Sequence, residues 1–180
     1  MILQEAIGET LMNSPRIGLR VLWSTISVAV FLLASEPCRS QELQRHSGFT
    51  TIVKHYTCGH SARADYVITT QDQWEAVWSL AMSNVYPMPP APDIDFSTQS
   101  VIAVFEGNEP SSDYSISIKK LIRTGKRLRV VVKETIPDSA CKVLLVVTQP
   151  VHIIVTEKIP DPARVSFTLK QHITQCADPG

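Results

Sequence analysis

Two histidines and a cysteine fall within the six residues HYTCGH, 55–60, and such a group can do three kinds of chemistry. His55, Cys58 and His60 offer imidazole and thiolate ligands suited to zinc or copper. A thiol beside a histidine is also the beginning of a nucleophile. In an oxidising space the same cysteine becomes half of a disulfide. Spacing weighs against the metal, because on a strand His55 and Cys58 point to opposite faces, an offset that only a turn through 57–59 corrects.

The compartment decides between the remaining two. The run VLWSTISVAVFLLA, 21–34, follows Arg16 and Arg20 and precedes ASEPCRSQE, the layout of a secretory signal. Small residues place its cut after Ser40, and Glu36-Pro37 ahead of Cys38 do not suit lipid attachment. The apolar run is shorter than the roughly 20 residues a membrane-spanning helix needs. No stable span is therefore expected after cleavage, and an uncleaved anchor is the second reading. Residues 1–11 precede Met12 and read as an over-extended start. Residues 41–48, QELQRHSG, are expected to be a flexible leader to a single domain over 49–176.

Cleavage leaves three thiols, Cys58, Cys141 and Cys176, as disulfide candidates. Cys58 is expected to bridge to Cys141, closing a loop of about 80 residues for roughly 4 kcal/mol, or to Cys176 beside the last strand. The residues leave these two open and leave one thiol over. Metal binding by His55, Cys58 and His60 and thiol catalysis at Cys58 are the alternatives. The mature chain carries equal numbers of acidic and basic side chains, which gives no steer towards nucleic acid or an anionic membrane.

The elements that must position these residues are mostly strands. Short runs rich in β-branched residues occur at 50–56, 64–69, 100–107, 114–122, 127–134, 142–148, 151–158 and 164–169, separated by Gly, Pro, Asp or Ser. KVLLVVT, 142–148, is apolar throughout and is expected to be a central strand covered on both faces. In TQDQWEAVWSLAM, Thr70 and Gln73 form a capping box, and Trp74, Val77, Trp78 and Ala81 recur at helical spacing. The two indoles are better read as core than as a ligand platform. The proline-rich stretch 86–96 is an extended crossover, and 114–122 and 127–134 form a hairpin about Gly125. The fold class is mainly β, a β-rich α+β chain: one antiparallel sandwich or partly closed barrel with one packed amphipathic helix.

This order of motifs resembles the PrcB-like domain family over 74–158. The resemblance rests on QWEAVW, on DIDFSTQSVIAVFEG, on GNEPSSDYSISI, on the PDSAC loop after a basic hairpin, and on TQPVHIIVTEK. The family usually has two glycines where this chain has Ser112-Asp113, and an aromatic where it has Val151. Asp is among the few side chains that tolerate the positive φ such a glycine supplies. The family is named for an accessory subunit of a bacterial cell-surface protease complex. The resemblance thus implies an exported, non-catalytic protein that binds a protein partner, a protease or envelope component, with no cofactor.

The residues agree, since no Gly-x-Ser-x-Gly elbow, His-Glu-x-x-His or phosphate loop is present. Two segments are candidates for binding that partner. Asn108, Glu109, Ser111, Ser112 and Asp113 lie in the polar connection GNEPSSDY, and loops held by a rigid sheet commonly carry recognition. Lys119, Lys120 and Arg127 belong to a basic hairpin with Arg123, Lys126, Arg129 and Lys133. The plainer reading of that hairpin is a solvated face that discourages sheet-to-sheet aggregation. Glu106, Glu109 and Asp113 are close enough in sequence to neutralise part of it.

Overall fold

A computed structural model describes residues 44–176; the signal, its cut and Cys38 lie outside the described residues. Eight strands form two four-stranded sheets with one helix. Strands β1 (Gln44–Ser47), β5 (Ser115–Thr124), β6 (Arg127–Pro137) and β8 (Val165–Thr174) make one sheet in the order β1-β5-β6-β8. Strands β2 (Phe49–His55), β7 (Val151–Glu157), β4 (Gln99–Phe105) and β3 (Ala64–Ile68) make the other, in the order β2-β7-β4-β3. The expected β-rich sandwich with one helix is what forms. Every pairing is antiparallel except β6 with β8, which run parallel.

The sequence of β4, SVIAVF, explains the layering. Val101, Ala103 and Phe105 face the helix, while Ile102 and Val104 face the other sheet. β7 divides in the same way, with Val151 and Ile153 towards the helix and Ile154 towards the second sheet. These two strands are covered on both sides, which is why their apolar runs are continuous rather than alternating. β5 and β6 instead bury one face, with Ile116, Ile118, Leu121, Leu128, Val130 and Val132 filling the space between sheets.

Helix α1 (Gln71–Ala81) forms the third layer. Thr70 caps it, its hydroxyl accepting from the Gln73 N–H at 3.4 Å, while the Gln73 side chain returns to the N–H of Thr69 at 3.0 Å. Trp74, Val77, Trp78 and Ala81 are all buried against the sheet, as their spacing predicts. The proline-rich crossover lies against both rings. The Trp74 indole N–H donates to the Pro92 carbonyl and that of Trp78 to the Pro89 carbonyl, each at 2.9 Å. Proline lacks an N–H to add to a ladder, so this segment offers acceptors to the indoles instead of pairing with a sheet.

Besides the parallel β6–β8 pair, two segments depart from expectation. Residues 44–47 are strand β1, paired with 121–124, rather than a loose leader; their backbone covers the β5 edge whatever their side chains are. KVLLVVT is not a strand. Among the described residues its one ladder contact is a bridge of Thr148 to Glu109, and the backbone of Leu144 bonds to Ser112 instead of to a strand.

His152 ties the two sheets together. From β7 its Nδ1 accepts the N–H of Ile118, beside a bulge in β5, at 2.8 Å, and Nε2–H donates to the Thr51 hydroxyl at 2.9 Å. Burial, with the charges of Lys54 and Lys119, pushes its pKa down to about 4. An imidazole depressed in the fold and ordinary when unfolded takes up its proton on unfolding first, so stability present above pH 6.5 is lost as pH falls towards 4. About 2 kcal/mol should go across that window, allowing for residual solvation. The difference in urea midpoint between wild type and a His152→Gln variant, taken at pH 7 and again at pH 4.5, isolates this contribution from the other groups that titrate in the same window.

Candidate partner-binding surface

The displaced apolar segment is the main surface feature of the described chain. Leu144 is 72% exposed and Leu145 91%, with Val146 and Val147 about half exposed. Four neighbouring large aliphatic side chains facing water form an exposed apolar patch, a feature that in proteins generally accompanies interaction surfaces. They are also held in place. The N–H of Ser112 donates to the Leu144 carbonyl at 2.9 Å, and the Leu144 N–H donates to the Ser112 hydroxyl at 3.0 Å. The Thr148 hydroxyl donates to the Ser111 carbonyl at 3.0 Å, and Glu109 and Thr148 exchange backbone hydrogen bonds.

Those bonds assign the polar connection 107–114 its part. Asn108, Ser111 and Ser112 are each tied into the chain. Asn108 accepts from the Gln149 amide, Ser111 is buried, and Ser112 clamps Leu144. Asp113 holds the turn with φ 74°, the left-handed conformation for which a glycine is usual. The loop is the frame of the apolar segment. Beside it lies a groove of about 640 Å³ lined by Tyr56, Asp113, Tyr114, Pro137, Leu144 and Val146, among others.

The other end of the segment is fixed by sulfur. Cys141 and Cys176 form a disulfide with Cα atoms 5.3 Å apart, joining the start of the apolar run to the chain just beyond β8. Cys58 is free and buried, which corrects the expectation that it is bridged. The reason is local. The Gly59 N–H donates to the Ala81 carbonyl at 3.1 Å at the end of α1. A side chain on Gly59 would meet the Leu80 carbonyl at 2.5 Å, so only glycine lets the chain dock there. The docked turn points Cys58 into the layer around Trp74 and Trp78.

The alternatives at HYTCGH fare no better as a group. His55 is exposed, stacked on Tyr56 with Nδ1 at the Thr57 hydroxyl. His60 lies against the Phe105 ring with Nε2 at the Tyr66 hydroxyl, 2.9 Å. Burial raises the Cys58 thiol pKa, which favours the unreactive protonated form. The three side chains do not converge, and among the described residues no cluster of metal-ligating groups forms.

An acidic group borders the frame. Glu106, Glu109 and Glu134 share one region with Arg63, whose Nε donates to Glu134 at 3.0 Å and which also pairs with Asp65. Among the described residues, Glu106, Glu109 and Asp113 form no ion pair with the basic hairpin. Glu106 is buried with one carboxylate oxygen lacking a partner. Burial, then repulsion from Glu109 and Glu134, pushes its pKa up to about 8. A carboxyl raised in this way stabilises the fold fully below about pH 4.5, and that stability is lost as pH rises through 8. A Glu106→Gln variant should therefore gain about 2 kcal/mol on wild type between pH 5 and 8, read from denaturant midpoints.

The segment from β4 to β7, which contains the apolar run and most of its frame, can be compared with known proteins. Residues 100–157 match the family model described as PrcB C-terminal. This segment is similar to that family. The match is narrower than the 74–158 resemblance drawn from the motifs and leaves helix α1 outside it. No curated protein and no solved structure matches the chain. No helix among the described residues is long and apolar enough to cross a membrane.

Proposed function

We propose that this protein is an exported, non-catalytic binding subunit of an envelope or extracellular protease complex, and that it docks its partner through the apolar segment 143–147. The reading is supported chiefly by Leu144 and Leu145, which face water although the segment carrying them is pinned at both ends. Pinning matters because an ordered loop has already lost the conformational entropy that binding would otherwise cost. An aliphatic ridge with a groove alongside suits a protein partner that offers an apolar pocket. The PrcB-like match is what turns the reading towards a protease complex. The disulfide is in keeping with export.

A photo-crosslinking amino acid placed at position 145 tests this in the native cell envelope. The expected product is a covalent adduct with a member of a protease complex. Adducts formed only with proteins unrelated to proteolysis would sink the accessory-subunit reading.

A further inference from the structure

The outward face of the β1-β5-β6-β8 sheet carries a second recess that the apolar ridge does not use. It has a volume of about 430 Å³. Lys119 and Lys120 come from β5, Lys133 from β6 and Lys170 from β8, around a floor that includes Ile122 and Val131. The lining contains no carboxylate, and none of the four lysines takes part in the ion pairs formed among the described residues. Lys133 and Lys170 are register partners on adjacent strands. Like charges directly opposite each other on a sheet are destabilising. A solvated, aggregation-resistant face needs charge, but it does not need four cations gathered around one apolar hollow. Of the residues singled out earlier, Lys119 and Lys120 line the recess, while Arg127 sits at the hairpin end outside it.

We propose that this recess binds an acidic peptide segment of a protein partner, with carboxylates on Lys119, Lys120, Lys133 and Lys170 and one aliphatic side chain on the Ile122–Val131 floor. Charge complementarity selects the sign. The floor selects among anions: a wholly polar polyanion would desolvate Ile122 and Val131 without covering them with apolar atoms, and a flat lipid surface does not fill a hollow. Lysine, a point charge on a flexible stem, accommodates carboxylates at varied spacing where arginine would demand a planar fork. The site stands apart from the ridge at 143–147, so either can fail without the other.

The probe is a fluorescein-labelled octapeptide, Glu-Glu-Leu-Glu-Glu-Leu-Glu-Glu, titrated with the oxidised protein and read by anisotropy. Binding is expected at low salt, weakening steeply as salt rises because the contacts are exposed ion pairs. A Lys133→Gln/Lys170→Gln variant should bind at least tenfold more weakly with a melting temperature no lower than that of wild type, because the like-charge pair is relieved. Replacing both leucines of the probe by serine should also weaken binding severalfold. Leu145→Asp should leave binding as it was. Equal binding by the double-glutamine variant would overturn the site. Equal binding of the serine peptide, or tighter binding of heparin or of phosphatidylglycerol vesicles, would overturn the acidic-peptide assignment in favour of a polyanion or a membrane.

Discussion

Reduction of the Cys141–Cys176 disulfide is expected to lower the melting temperature by roughly 10 °C, corresponding to about 4 kcal/mol lost. The two cysteines are 35 residues apart, and releasing such a loop restores conformational entropy to the unfolded chain. The enclosed stretch holds the apolar segment, β7 and β8, so the bridge constrains elements of both sheets. Melts with and without dithiothreitol measure the effect. A Cys141→Ser/Cys176→Ser variant should melt at the reduced temperature and be indifferent to the reductant. Cys58 should alkylate only after denaturation in either state, since it is buried and unbridged.

Trp74→Ala is expected to cost about 3 to 5 kcal/mol, the range for removing a large aromatic from a packed core. Trp74 is fully buried, its ring is tilted against that of Trp78 at 5.2 Å, and its N–H satisfies the Pro92 carbonyl. The variant leaves a cavity between helix and sheet and removes the donor on which the crossover rests. Trp74→Phe keeps part of the volume but not the donor, so it should fall between, costing about 1 to 2 kcal/mol. Denaturant unfolding of the three proteins at one pH gives the order. If the phenylalanine variant matched wild type, the Pro92 hydrogen bond would contribute nothing.

The helix and most strands could be read from the chain because their signals are local. The Thr70 cap, the Trp74-Val77-Trp78-Ala81 spacing and the β5–β6 turn at Gly125 each depend on residues within a few positions. The fate of 142–148 depends on something that is not local. Composition makes that run strand-like, but its backbone bonds to the connection at Ser112, 32 residues earlier in the chain, and not to either sheet. The same limit applies to sulfur. Which of three thiols pair is decided by where 55–60 docks on the end of α1, a contact between segments about 20 residues apart. The site inherits both effects. Ser111, Ser112 and Asp113 were legible as an ordered connection, but the bonds of Ser111 and Ser112 to Thr148 and Leu144 were not, because 142–148 reads as a core strand. Lys170 belongs with Lys119, Lys120 and Lys133 only because β8 runs parallel beside β6.

The central claim is that segment 143–147 is a preformed docking ridge, and capture of the partner by a Leu145→Asp variant tests it most directly. An exposed side chain carries little stability, so the melting temperature should stay within the effect of about 0.5 kcal/mol. Burying leucine in a partner's pocket contributes about 1.5 to 3 kcal/mol, so recovery of the partner identified by crosslinking should fall at least tenfold from equal amounts of folded protein. Undiminished recovery with the aspartate in place would contradict the account.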